Sequence, residues 1–276
     1  MLNYSIYIST CDGYSDCWRP FFTLFKKFWP DYNGKIYLSS EYMGYECGLP
    51  RLVPMRICEQ HKVPKNDRVS WSKLTRWALE SIEEDIILFM QEDFFLKGLV
   101  QSDIIDCFAD LMKGHPDICC IHLTDQCGTG SVPSEFEHLD EMHLHRPYRI
   151  SCQSALWRKK ELLTLLRDRE NAWEFEMFGS TRSAALGHRY LQVSKDYVRL
   201  NQFEIIPYVF TGIIKGKWFR EVPALFKENG IDMDLSIRGM YEPQPTKGIS
   251  SIERISILLR RAFNRLDIAL LRLRNG

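Results

Sequence analysis

Apolar runs and amphipathic segments alternate along the first 125 residues. Tyr4–Ser9 reads as a strand, the polar loop "TCDGYSD" follows, and a helix runs through "CWRPFFTLFKKFW". Pro30 and Asn33-Gly34 end that helix, "KIYLSS" is a second strand and "RLVPMRI" a short third. In "SWSKLTRWALESI", Trp71, Leu74, Trp77, Ala78 and Ile82 fall at helical spacing, with Ser70 placed to cap the N-terminus. The run "DIILFM" is too short for a helix and rich in β-formers, which predicts a buried parallel strand. A helix over "SDIIDCFADLMKG" and a strand over "ICCIHLT" complete the series. Such alternation predicts an α/β protein with a parallel, doubly wound sheet. Ligands of these sheets bind beyond the carboxyl ends of the strands. Asp12 follows the first strand and Glu92-Asp93 follows "DIILFM", so acidic positions converge on one edge.

The pattern is less regular beyond this point. Gly128 to Pro147 is polar and reads as a loop or irregular hairpin. "YRISCQSALW" reads as a strand, "RKKELLTLLRD" as a helix and "ENAWEFEMFGSTRSAALG" as an irregular or short helical segment. "FEIIPYVFTGIIKGKW" reads as a late strand pair, and the tail from Ile249 as a helix. Ile252, Ile255, Leu259, Phe263, Leu266, Leu270 and Leu273 line one face of that helix. Six arginines (Arg254, Arg260, Arg261, Arg265, Arg272 and Arg274) stand against only Glu253 and Asp267. A basic amphipathic helix of this kind lies on an anionic membrane, packs on the catalytic body, or meets a second subunit.

The chain has 276 residues, enough for one large α/β domain or two small ones. Lys+Arg and Asp+Glu both number 36, a balance that argues against a dedicated nucleic-acid binder. Nine cysteines with no CxxC pair fit reduced thiols in a cytosolic compartment better than a disulfide framework. "MLNYSIYIST" lacks the features of a signal peptide, and no stretch of about 18 apolar residues would span a membrane. His138, His143 and His145 match neither HExxH nor zinc-finger spacing and read as a polar surface loop.

Carboxylates at the end of an apolar strand need a partner. From Tyr4 to Trp218 the architecture and several motifs together resemble a GT-A-type nucleotide-sugar glycosyltransferase, and "QED" at Gln91–Asp93 resembles that family's acidic motif. It departs from the pattern in having Glu for its first acid and only two acids. The resemblance implies a Rossmann-like GT-A fold with a mostly parallel central sheet. It also implies a divalent cation, Mn²⁺ or Mg²⁺, on Glu92 and Asp93, and through it the sugar-diphosphate. The plain alternative is a strand that ends where the chain turns polar.

Thr10 and Asp12 are the nucleotide-side candidates that the resemblance implies, although Asp12 would equally serve as a helix cap. Lys73 and Arg76 are candidates for the diphosphate, as are Lys215 and Lys217 around Gly216; an ordinary solvated hairpin is the alternative for the last two. Glu174, with Glu176 second, is the candidate base that takes a proton from the acceptor hydroxyl; acids favoured by a helix N-terminus would look the same. Gln153 and Trp157 would line the acceptor pocket, unless Trp157 is simply core.

The expected organisation is a catalytic domain over 1–245, with a nucleotide half (1–127) and an acceptor half (128–245), followed by the basic helix of 246–276. The expected activity is sugar transfer from a nucleotide-diphosphate-sugar to a glycan or lipid-linked glycan, with bacterial surface polysaccharide (O-antigen or capsule) synthesis as the setting. The expected location is the cytoplasm, peripheral on the inner face of the membrane through the C-terminal helix. A nucleotidyltransferase, or a non-catalytic scaffold of the same fold, are the rivals. The first should carry a Gly-rich basic loop after the first strand, where this chain has an acid.

Overall fold

A computed structural model of the chain describes residues 3–124, 130–243 and 251–275. The expected boundary between 245 and 246 lies outside these residues. Strand β1 (Ser5–Ser9) leads through a 3₁₀ turn (Asp12–Cys17) into helix α1 (Trp18–Phe28). Next come β2 (Ile36–Ser39), β3 (Leu52–Pro54), a single helical turn α2 (Ile57–Gln60) and α3 (Trp71–Ser81). The Ser70 side chain accepts a hydrogen bond from the Lys73 N–H and caps α3 as expected. Strand β4 (Ile86–Gln91), helix α4 (Ser102–Gly114) and strand β5 (Ile118–His122) complete the α/β alternation.

The polar stretch beyond the undescribed residues 125–129 forms a hairpin, β6 (Ser131–Pro133) and β7 (Leu139–Met142). Then follow β8 (Ala155–Arg158), α5 (Lys159–Leu165), α6 (Ala172–Ser183) and β9 (Arg189–Val193). A small hairpin of β10 (Ile213–Ile214) and β11 (Lys217–Trp218), helix α7 (Val222–Glu228) and helix α8 (Ser251–Asn275) end the chain.

Among the described residues nine strands form one sheet in the order β3-β2-β1-β4-β8-β5-β9-β7-β6. All but β8 and β7 run in the same direction. The sheet is therefore mostly parallel, with helices against it, as the pattern predicts. Two details differ. The "YRISCQSALW" strand is confined to Ala155–Arg158, and it inserts antiparallel between β4 and β5. Residues 155–158 thus enter the sheet between two strands of the first 127 residues. The stretch read as irregular or short helical is a regular helix of 12 residues, α6. Asn171 caps it by accepting from the Glu174 N–H, while Glu174 reaches back to the Asn171 N–H.

Strand β4 is buried from Ile86 to Met90, as a continuous apolar run in a sheet covered on both faces should be. Phe94, Phe95 and Leu96 then continue into the core instead of surfacing. They pair with the late segment: the Lys97 N–H donates to the Pro207 carbonyl at 2.9 Å and the Val209 N–H to the Phe95 carbonyl at 2.9 Å. Phe94 stacks on Tyr208 with ring centroids 4.7 Å apart.

Candidate active site at the carboxyl ends of β1 and β4

Strands β1 and β4 are neighbours in register Ser9↔Gln91, so the loop holding Asp12 and the pair Glu92-Asp93 leave the sheet side by side. The Asp12 carboxylate accepts the backbone N–H groups of Glu41 and Tyr42 at 3.0 Å and of Met43 at 3.3 Å. It therefore clamps the loop after β2 and caps no helix. Thr10 accepts a hydrogen bond from the Trp18 indole at 2.9 Å, which orients the start of α1. Beside Asp12 opens a cavity of about 610 Å³ that is also lined by Glu41, Tyr42, Lys65, Asp67 and Arg68. A larger cavity, about 750 Å³, lies at the far edge of the sheet around Phe136, His138 and Tyr197, away from both acid positions. His138, His143 and His145 are exposed, as a surface loop requires.

The two acids of "QED" differ. One oxygen of Asp93 (Oδ2) accepts three hydrogen bonds, from the Thr211 hydroxyl at 3.1 Å and from the Gly212 and Ile213 N–H groups at 3.0 Å. Asp93 thus fixes the segment that leads into the β10–β11 hairpin and keeps its other oxygen free of these bonds. Glu92 is buried, and among the described residues its carboxylate takes no hydrogen bond beyond one to its own backbone. Burial first, then the neighbouring Asp93, push the Glu92 carboxyl well above the usual range. Burial also raises Asp93, against the opposing pull of its three donors. A buried carboxylate with no donor from another residue, beside a second acid, has the ligand chemistry of a hard-cation site. The pair fits Mn²⁺ or Mg²⁺.

Sequence patterning misses one positive group at this edge. Arg238 donates to both oxygens of Asp16, at 2.6 and 2.5 Å, and to the Gly13 carbonyl at 2.8 Å, and it lies over the Tyr14 ring. It joins the loop after β1 to the late hairpin, whose Gly216 carbonyl it also contacts. Its charge acts on Glu92. No periodicity or motif surrounds Arg238, so only the fold identifies it. Lys215 and Gly216, both at positive φ (51° and 78°), form the two-residue turn of β10–β11, with Lys215 and Lys217 exposed at its tip.

Several candidates belong elsewhere. The Arg76 guanidinium is consumed by Asp168 at 2.7 Å and by the Leu163 and Leu166 carbonyls, so it ties α3 to the end of α5 and faces no diphosphate. Lys73 lies over the Trp77 ring of its own helix at 4.8 Å. Trp157 is buried on β8, edge-on to Tyr190 and His122, and lines neither of the two cavities above. Glu174 is committed to the capping box and to an ion pair with Arg260 of α8, which removes it as a base.

Glu176, two positions on, has different partners. Its carboxylate accepts the Cys152 N–H at 2.7 Å and the Ser151 hydroxyl at 3.3 Å, and burial raises its pKa despite both donors. The Cys152 carbonyl in turn accepts from Gln91 at 3.3 Å, so Glu176 stands next to the end of β4. Gln153 accepts from the Tyr208 hydroxyl at 2.9 Å in the same wall. Trp173 and Met177 lie exposed on the α6 face that carries Glu176. Among the described residues the one group of three metal-type side chains, Cys119, Glu161 and His188, sits at the opposite end of the sheet. There Glu161 is held by the His188 ring at 2.8 Å and by the Tyr190 hydroxyl.

No protein-family model matches the chain, and no curated protein does. Among solved structures it is similar to the S. aureus TarS fragment 1–349, at 14% identity over 70% of this chain and 58% of that one, with TM-score 0.42. The complex of that fragment with UDP-GlcNAc gives 14% identity, 70% and 59% coverage and TM-score 0.39. Glucosyl-3-phosphoglycerate synthase from Mycobacterium tuberculosis, in complex with Mn²⁺ and UDP-glucose, gives 11% identity, 84% and 80% coverage and TM-score 0.39. The chain thus spans somewhat more than half of the TarS fragment. At such identities a shared activity does not follow from the likeness.

Proposed function

We propose that the chain transfers a sugar from a nucleotide-diphosphate-sugar to a hydroxyl of a glycan or lipid-linked glycan. The observation that carries this reading is Glu92, a carboxylate buried beside a second acid with no donor from another residue, at the ligand-binding edge of the sheet. Such a group calls for a cation. Glu92 and the second oxygen of Asp93 would hold Mn²⁺ or Mg²⁺, for which one or two protein carboxylates suffice. Bound there, the ion would neutralise charge on the departing diphosphate. The nucleoside would occupy the 610 Å³ cavity that Asp12 shapes by holding the β2 loop, with Lys65 and Arg68 attracting phosphate. Lys215 and Lys217, carried on a hairpin tethered to Asp93 and Arg238, would close over the diphosphate.

On the acceptor side Glu176 would take the hydroxyl proton while the oxygen bonds to the anomeric carbon and the bond to the diphosphate breaks. Trp173 offers an exposed ring face to a sugar, and Gln153 a hydrogen-bonding edge. Residues 1–127 would serve mainly the donor, and 128–245 the acceptor. Assembly of a bacterial surface polysaccharide, on the inner side of the cytoplasmic membrane, is the setting we infer.

Thermal-shift measurements with UDP-, GDP- and CMP-sugars, with and without Mn²⁺, test the reading. One nucleotide class is expected to raise the melting temperature, more so with Mn²⁺, and Glu92→Gln is expected to remove the metal-dependent part. The same substitution reports on the buried charge. The raised Glu92 carboxyl means that ionisation costs stability as pH climbs above the ordinary value of 4.5. Metal-free Glu92→Gln should therefore melt above the parent near neutral pH, and the difference should vanish below about pH 4. A Glu92→Gln protein that binds donor and metal like the parent, or a parent that responds only to nucleoside triphosphates, overturns the proposal.

A further inference from the structure

Helix α8 is mounted with its polar side inward. Between Leu258 and Leu273 the residues turned to the body are Arg260, Asn264, Asp267 and Leu271, and Arg169 of the body lies over the Phe263 ring at 5.4 Å. Asn264 donates to the Thr181 hydroxyl at 2.7 Å and accepts from Arg182 at 3.1 Å. Asp267 faces Arg167 at 3.2 Å and pairs with Arg169, while Arg260 pairs with Glu174. An amphipathic helix ordinarily buries its apolar stripe against the core. Here that stripe faces outward: Leu258, Leu259, Phe263, Leu266, Leu270 and Leu273 are between 52% and 79% exposed.

At 3.6 residues per turn these six, with Ala262 and Ala269, fill an arc of roughly 140° that no polar residue interrupts. Between this arc and the docked seam run Arg261, Arg265 and Arg272, all exposed. The single acid between Leu258 and Leu273, Asp267, is in the seam. Ile252, Ile255, Arg254 and Arg274, also counted in the sequence pattern, have side chains outside the described residues. No helix among the described residues is long and apolar enough to cross a membrane, so the strip fits a surface and not a span.

We propose that α8 seats the protein on an anionic lipid surface, with the apolar strip among the acyl chains and the three arginines at the level of the phosphates. Charge complementarity selects this occupant over a second copy of the chain. Two strips packed antiparallel would bring their arginine rows together, and packed parallel each row would meet a flank whose one acid, Asp267, is already paired with Arg167 and Arg169. Through Glu174, Thr181 and Arg182 the docked seam rests on α6, the helix that carries Glu176 and Trp173. If the proposed transferase reading holds, the acceptor wall then lies one helix from the lipid, which favours a lipid-linked hydroxyl as acceptor.

Co-sedimentation of the full chain with vesicles tests the seating without any assay of transfer. The protein is expected to pellet with phosphatidylcholine vesicles containing ~30% phosphatidylglycerol, and at least about tenfold less with phosphatidylcholine alone or in high salt. Leu259→Ser/Leu266→Ser/Leu270→Ser should abolish pelleting, and Arg261→Gln/Arg265→Gln/Arg272→Gln should remove the preference for anionic vesicles. Both variants should keep the parent's circular dichroism, because the altered side chains are exposed. A parent that stays in the supernatant with anionic vesicles overturns the proposal. So does one that light scattering shows to be a dimer dissolved by the serine substitutions. Donor binding by the serine variant should match the parent, which separates a failure here from a failure of the transferase reading.

Discussion

Glu174 and Glu176 stand two positions apart on α6, and their surroundings send them to different work. Glu174 completes a capping box and holds Arg260, so both its oxygens are spent on architecture. Glu176 turns to the wall made by Ser151 and Cys152, half-buried, with a carboxyl raised by that burial. Raised carboxyls suit proton abstraction near neutral pH. Glu176→Gln is expected to lower kcat by about 10²- to 10⁴-fold with donor affinity unchanged. Glu174→Gln should leave kcat within a few-fold and cost roughly 1 kcal/mol of stability, the usual value of a cap. Steady-state kinetics and urea unfolding of the two variants separate the roles; equal losses of kcat would show that the assignment is wrong.

At the scale of elements, the site depends on how the segment after β4 is tied to the segment before β10. The Asp93 carboxylate and main chain both hold Gly212, and the backbones are so close that a Cβ at Gly212 would sit 2.4 Å from the Phe95 ring and 2.7 Å from the Asp93 carbonyl oxygen. Gly212→Ala must push the late segment off β4, at a cost of about 1–3 kcal/mol by analogy with other overpacked sites. The metal-dependent part of the thermal shift should fall with it, since Asp93 would lose its donors. An alanine protein that melts with the parent and keeps that shift would mean the late segment moves freely. The antiparallel entry of β8 between β4 and β5 acts at the same scale. It carries Ser151–Ser154 over the end of β4, which is how Gln153 and Glu176 come to lie next to Gln91.

Across the whole molecule, a buried ion pair on α6, the helix that carries Glu176, reaches α8. Arg182 meets Glu170 through two bonds of 2.7 and 2.6 Å, both side chains being almost fully enclosed, and also reaches Asn264. Removing one partner of such a pair strands the other charge. Arg182→Met is expected to cost about 3–5 kcal/mol in urea unfolding and to loosen α8, whereas changing both partners to apolar residues should cost much less. A small loss from the single substitution would show that water reaches Glu170.

What the sequence determined by itself is whatever repeats locally. The α/β alternation, the Ser70 cap, the buried run of β4 and the apolar face of α8 depend on spacing along the chain, and the backbone periods of 2 and 3.6 express them directly. The position of Glu92-Asp93 and Asp12 at one edge followed from strand order alone. Only the tertiary structure could decide which of several equivalent-looking side chains remain unspent. Arg76, Trp157 and Glu174 are chemically suitable, yet each is consumed by a partner or a core roughly 30 or more positions away in sequence. Arg238 reaches Asp16 across more than two hundred residues without any motif to announce it. Period and propensity act over one or two turns of chain, whereas burial and hydrogen-bond partnership are set by contacts that exist only after the chain has closed on itself.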